Sequence, residues 1–145
     1  MQGGRAKAYR PLPATDRQVA FRAGLAAYEA GQFFEAHELL EPAWMGTADV
    51  AERDLHQGLI KLAAAYVHAE RGNPLGMAKN LAGARQRLAA ALAADVDQRG
   101  LDVTAIVRDV DQRLERLERL AGPDGLEVDW DTAGIGPPPL HRRNP

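Results

Sequence analysis

Apolar side chains recur every three or four residues over most of this chain, which is the spacing of amphipathic helices. The pattern divides into five segments, over about residues 16–30, 32–45, 49–71, 74–93 and 102–121. β-branched residues are too sparse and scattered to build several alternating strands. The pattern therefore predicts an all-α fold of about five helices.

Turn and capping residues stand between these segments. Thr15 and Asp49 each precede a glutamine or glutamate by three residues, which is the spacing of a capping box. Asn73 lies directly before a proline, a pair that favours a helix start. Gly31 and Gly72 favour helix ends and tight turns. We therefore predict two antiparallel helical hairpins, with the fifth helix across them in one compact bundle.

The two predicted hairpins resemble each other. Aligning Gly31 with Gly72 also aligns Leu40 with Leu81. The spacing is similar to that of tetratricopeptide hairpins, but two units are fewer than the three or so that a solenoid needs. We interpret the similarity as two alike hairpins within one bundle.

Segments without helical periodicity flank the helices. The sequence indicates a flexible basic arm over residues 1–14, a helical domain over 15–121 and an extended tail rich in proline and glycine over 122–145. The larger apolar side chains of the tail are Leu126, Val128, Trp130, Ile135 and Leu140. We expect these side chains to anchor the tail, either on its own bundle or on a second subunit.

Composition and charge exclude several functions. The chain has no cysteine, which excludes disulfides, thiolate metal sites and cysteine nucleophiles. Its positive and negative side chains nearly cancel, which leaves a formal net charge of −2. No nucleic-acid partner is therefore expected. No apolar run reaches the roughly 20 residues that cross a bilayer, so we expect no membrane partner and a cytoplasmic protein. Serine is absent, and there is no glycine-rich phosphate or dinucleotide motif.

Polar residues that could carry chemistry lie in two predicted helices. They are Glu35, His37, Glu38, Glu41 and Trp44 in the second helix, and Gln57, Lys61 and His68 in the third. His37 lies at the edge of the apolar stripe, with Glu41 one helical turn further on. Such a pair is typical of metal ligands or of a base with its orienting carboxylate, and equally of an ordinary hydrogen bond at a helix edge.

The run from His37 to Glu41 also resembles the zinc-protease helix motif, but Glu41 stands where the second imidazole should be. A zinc protease is therefore not predicted, while a divalent metal held by His37, Glu41 and His68 stays an alternative. We expect these three side chains to converge on a partly buried pocket between the second and third helices. Its margins would be formed by Glu38, Gln57 and Trp44. Truncation of Glu41 would then cost about 1–3 kcal/mol.

Several blocks of the chain together resemble a known family signature. The blocks are Gly31 to Trp44, which begins GQFFEAHELLE, then Gln57 to Ala63 with the sequence QGLIKLA, then His68, and finally Gly72-Asn73-Pro74. In this order and spacing they are similar to the bacterial domain of unknown function 309 family, over about residues 17–92. The resemblance implies a compact all-helical fold and no established activity. The positions that it emphasises are Glu35, His37, Glu38, Glu41, Trp44, Gln57 and His68. Two residues depart from the family pattern, namely Pro42 and Lys61.

Three functions are compatible with these patterns. The favoured one is a binding or interaction module with a polar His/Glu pocket, for a protein or small-molecule partner or for another copy of the chain. The alternative is a metal-assisted hydrolase that uses His37, Glu38, Glu41 and His68. In the third, the His–Glu pairs only stabilise helix packing. The sequence predicts no particular reaction.

Overall fold

The computed structural model describes residues 12–121 and 135–143. It contains five helices: α1 (Ala14–Glu29), α2 (Phe33–Trp44), α3 (Val50–Glu70), α4 (Pro74–Ala93) and α5 (Val103–Ala121). Within the described residues there is no strand, and Leu101 and Arg142 form one isolated antiparallel bridge. The predicted all-α bundle is therefore confirmed. None of the described helices is long and apolar enough to cross a membrane.

Side-chain caps start several of the helices, as their spacing predicts. The Asp49 side chain accepts hydrogen bonds from two backbone N–H groups of the first turn of α3. Asn73 accepts one from Gly76 N at 3.0 Å at the start of α4. The expected cap at Thr15 is wrong, because the first turn of α1 is closed by the Pro13 carbonyl, which accepts from the residue 17 N–H at 3.0 Å. Thr15 consequently lies inside the helix.

The two hairpin turns have the same backbone geometry. Gly31 and Gly72 adopt left-handed φ values of +79° and +69°. In each turn the residue after the glycine donates to the carbonyl five residues earlier, at 2.8 and 2.9 Å. Glycine takes this conformation without a steric penalty, which is why it ends helices in this way. The sequence similarity of the hairpins therefore reflects one shared turn.

Two helix glycines decide how closely the helices approach within the hairpins. A Cβ atom on Gly24 would lie 2.6 Å from the Leu40 side chain, across the α1–α2 contact. A Cβ atom on Gly58 would lie 2.6 Å from the Leu88 side chain, across the α3–α4 contact. Leu40 and Leu88 are both fully buried. The small residues are needed because these leucines fill the space where a side chain would stand.

We expect Gly58→Ala to lower the free energy of unfolding by about 1–3 kcal/mol, since the added methyl group overlaps a buried leucine. The matched control is Gly83→Ala on α4, where the added atom would meet the flexible Lys61 stem, with Cδ at 2.9 Å. There the lysine can move, and the helix gains up to about 1 kcal/mol from alanine. Urea unfolding of both variants checks the difference. Equal destabilisation by the two substitutions would contradict it.

The described part of the tail packs against its own bundle. Ile135 and Leu140 are 3% and 2% exposed and belong to the hydrophobic core. The Tyr28 hydroxyl donates to the Pro138 carbonyl at 2.8 Å, and the Tyr66 hydroxyl donates to the Gly136 carbonyl at 2.9 Å. Burial raises the pKa of Tyr66 to about 12, so this donor stays protonated. The other predicted anchors, at positions 126, 128 and 130, lie outside the described residues.

Candidate functional site

The His37 cluster on α2 is loosely joined. His37 Nε2 lies 3.9 Å from a Glu41 carboxylate oxygen, and His37 Nδ1 lies 3.6 Å from Glu38. Both distances exceed that of a hydrogen bond. Glu41 is 48% exposed and Glu38 is 60% exposed, so water screens the two carboxylates, while His37 Nδ1 is buried and has no hydrogen-bond partner among the described residues. Each of these ion pairs therefore contributes no more than about 1 kcal/mol to stability. This is less than the cost that Glu41 truncation would have if the imidazole and carboxylate were buried together. Glu35 is exposed on the same helix.

The residues predicted on the third helix point to other neighbours. His68 Nδ1 lies 3.1 Å from the Asn73 side-chain amide, at the turn into α4. The stem of Lys61 lies against Gly83 of α4. Residues 12–121 and 135–143 contain no group of three or more His, Asp and Glu side chains that could hold a metal ion. The structure therefore does not assemble His37, Glu41 and His68 into a metal site.

Trp44 and Gln57, the remaining candidates, line a small cavity of about 260 Å³ between α2, α3 and α4. Asp54 and Arg87 also line this cavity and form an ion pair at 2.8 Å. The two predicted residues therefore border one cavity between α2 and α3, which is lined by none of the predicted histidines. Any role of these eight residues in ligand binding stays a prediction.

A larger pocket lies elsewhere in the bundle, with a volume of about 360 Å³. We call it the arginine–histidine pocket. It is bordered by α1, α2, α3, the connection between α4 and α5, and the described end of the tail. Its polar lining comprises Arg17, Gln18, Arg22, Glu52, His56, Arg99 and Arg142. The apolar lining includes Phe21, Leu25 and Ala43.

His56 forms part of the buried wall of this pocket. The residue is 3% exposed, and its ring lies 4.9 Å from the ring of Phe21, centroid to centroid. The buried Nδ1 has no hydrogen-bond partner among the described residues. Burial and, after it, the positive charges of Arg99 and Arg17 together lower the pKa of His56 to about 4. The imidazole is therefore neutral at pH 7.

The guanidinium groups of the pocket are only partly neutralised. Arg99 pairs with Glu52 at 2.9 Å, and Arg142 makes two hydrogen bonds to Glu29 at 3.0 and 2.8 Å. Arg17 donates to a backbone carbonyl at 3.2 Å. Four arginines thus line the pocket together with one carboxylate, in a chain whose net charge is negative. The pocket is a local concentration of positive charge.

Arg99 is held in an unusual way. Its backbone has a φ of +56°, a left-handed conformation that few residues other than glycine adopt. Its Nε is buried and has no hydrogen-bond partner among the described residues. Strained backbone of this kind persists only where the surrounding structure enforces it, and it is frequent at binding sites. The segment around Arg99 therefore directs this side chain to the pocket.

The sequence did not predict this pocket. Its four arginines come from α1, the α4–α5 connection and the tail, so no local motif contains them. His56 carried one signal, because it lies in the apolar stripe of α3 between Leu55 and Leu59. A histidine at such a position is more often an ordinary core residue, and only the tertiary structure shows that it borders a cavity.

One family is found when the chain is compared with known proteins. The model of a family described as Domain of unknown function (DUF309) matches residues 21–80. No curated protein and no solved structure matches the chain. The matched segment includes Arg22, Glu52 and His56, whereas Arg17, Arg99 and Arg142 lie outside it. The arginine–histidine pocket therefore depends on residues beyond the family segment.

Proposed function

From the geometry of the pocket we propose that this chain binds a small oxyanion. Its residues 21–80 match the model of the domain of unknown function 309 family, whose description assigns no activity. The ligand site is the arginine–histidine pocket. The observation that carries the proposal is the meeting of four arginines and a buried, neutral histidine around one cavity. The chain is then a helical binding module with a small-molecule ligand.

Charge supports an anion as the ligand. Guanidinium groups bind carboxylate and phosphate oxygens through paired N–H donors, and such charge-assisted bonds are stronger than neutral ones. Glu52 pairs with Arg99 and Glu29 pairs with Arg142, whereas Arg17 and Arg22 have no carboxylate partner among the described residues. Because the arginines sit beside low-dielectric walls of Phe21 and Leu25, their field is less screened than at an open surface.

His56 suits the same ligand. A neutral imidazole in the wall of the pocket adds no charge that ligand binding would have to desolvate. An anion in the pocket would offset the positive charges of Arg99 and Arg17, which now lower the pKa of His56. Binding and protonation of this histidine would then favour each other.

Titration calorimetry with inorganic phosphate at pH 7 tests the proposal. We expect saturable binding by the wild-type chain and at least tenfold weaker binding by Arg22→Gln, equivalent to about 1.4 kcal/mol. The matched control is Arg116→Gln, which removes the same charge from an exposed position on α5 away from the pocket lining. The control should bind as the wild type does, because its arginine takes no part in the pocket.

A second variant removes the Arg99 side chain without changing the local backbone conformation. Glycine adopts the φ of +56° at position 99 without strain, so Arg99→Gly removes the guanidinium without straining the connection. We again expect at least tenfold weaker phosphate binding, with the helical circular dichroism unchanged. Equal phosphate affinity in the wild type, Arg22→Gln and Arg99→Gly would overturn the proposal, and so would the absence of saturable binding by the wild type.

A further inference from the structure

The walls of the arginine–histidine pocket change in character with depth. Leu25 and Ala43 are 2% and 1% exposed, and Phe21 is 7% exposed. In contrast, the side chains of Arg99 and Arg142 are 31% and 45% exposed. The inner wall is therefore apolar and aromatic, while the guanidinium groups stand nearer the mouth.

The size of the pocket exceeds what an oxyanion alone would fill. Its volume is about 360 Å³, within the range of roughly 300–1,000 Å³ that is typical of small-molecule sites. One water molecule takes up about 30 Å³ in the liquid, and a single tetrahedral oxyanion is only a few times larger. Arginines at the mouth would hold such an ion and leave the apolar inner wall without a partner.

The neutral state of His56 adds to this contrast. Its ring packs on Phe21 and lies on the buried side of the pocket. An uncharged aromatic pair of this kind favours an apolar or aromatic group and offers no charge to a second anion. The inner part of the pocket is thus unsuited to a polyanion, although its mouth attracts negative charge.

We propose, on the basis of the proposed function, that the ligand is an organic oxyanion. In this ligand one phosphate or carboxylate group is joined to an uncharged apolar body about the size of one aromatic ring. The oxyanion binds to the arginines at the mouth. The body lies against Phe21 and Leu25. This divides recognition into two parts, since the arginines select the charge and the inner wall selects the shape of the body.

Phenyl phosphate and inorganic phosphate form the test pair, titrated into the full chain at equal ionic strength. They share the phosphate group and differ by one aromatic ring. We expect phenyl phosphate to bind at least tenfold more tightly to the wild type. Phe21→Leu should lose most of this gain, so that the two compounds bind to it with similar affinity. The control is Phe34→Leu, at a phenylalanine that is 58% exposed and does not line the pocket, and it should keep the gain.

A measurement on the wild type alone tests the inference even if the Phe21→Leu variant does not fold. Nuclear Overhauser effects between the phenyl protons and the Leu25 methyl groups are expected, since the ring would lie on that wall. Two results would overturn the inference while leaving the proposed function intact: phosphate and phenyl phosphate binding with equal affinity, or phenyl phosphate binding without contacts to Leu25. Failure of both compounds to bind would overturn the inference and the proposed function together.

Discussion

Leu140→Ala should lower the free energy of unfolding by about 2–5 kcal/mol, although the residue lies in an extended tail outside the five helices. The side chain is 2% exposed and belongs to the same core as the helix leucines. Truncation removes buried methyl groups and leaves a cavity that the surrounding helices can only partly fill.

The neighbouring hydrogen bonds make such a cavity hard to close. Tyr28 and Tyr66 hold the tail backbone at Pro138 and Gly136, so the segment around position 140 cannot simply move inward. The matched control is Arg143→Ala, whose side chain is 61% exposed and lies 3.8 Å from its nearest acidic partner. We expect that change to stay within about 0.5 kcal/mol.

Chemical unfolding of the two variants at pH 7 measures both effects. A Leu140→Ala variant as stable as Arg143→Ala would show that the tail is not part of the folded core. The wild-type chain would then gain nothing from the packing of this segment, and a chain ending at Ala121 should unfold at the same denaturant concentration. If the tail is part of the core, that truncated chain should be less stable than Leu140→Ala, because it also loses the buried Ile135.

Lowering the pH from 7 to 4 should remove about 3 kcal/mol of stability through His56 alone. Burial, followed by the charges of Arg99 and Arg17, holds the pKa of His56 at about 4 in the folded chain, against 6.5 for an ordinary histidine. Between these two pH values the unfolded chain binds a proton that the folded chain does not. The contribution of His56 is therefore complete above pH 6.5 and is lost as the pH falls to 4.

His56→Gln is the control for this pH dependence. Its carboxylates are those of the wild type, so their titration contributes equally to both proteins. Urea unfolding at pH 7 and at pH 4 should show the wild type losing about 3 kcal/mol more than His56→Gln. Parallel stability curves for the two proteins would mean that the folded chain accepts a proton on this histidine without cost, and the buried neutral imidazole would be ruled out.

Local interactions explain why so much of the fold could be predicted from the sequence. Helix bounds follow from the spacing of apolar side chains and from caps such as Asp49 and Asn73, whose partners lie within three residues. Gly58 is a further local signal of a close helix approach, because a glycine in the middle of a helix is costly unless a neighbouring helix needs the space. Thr15 is the exception, since a proline just upstream starts the helix first.

The arrangement of the candidate site, in contrast, does not follow from local interactions. The sequence placed His37 and Glu41 one turn apart, and the structure keeps them adjacent, 31% and 48% exposed, and beyond hydrogen-bond distance. Whether His68 joins them depends on which side of α3 faces α2, and it lies instead beside Asn73 at the turn into α4. Helical periodicity states which residues share a face, but it does not state which neighbour that face meets.

By itself, then, the sequence determined the helices, their order and the two hairpin turns, because each rests on contacts between residues close in the chain. Only the tertiary structure decided that Arg99 and Arg142 line one pocket together with Arg17 and His56. These residues are distant in sequence, and their approach depends on how the connection and the tail pack on the helices. The charge of the pocket and the neutral state of His56 both follow from that packing, since electrostatic interactions depend on distance and burial and not on position along the chain.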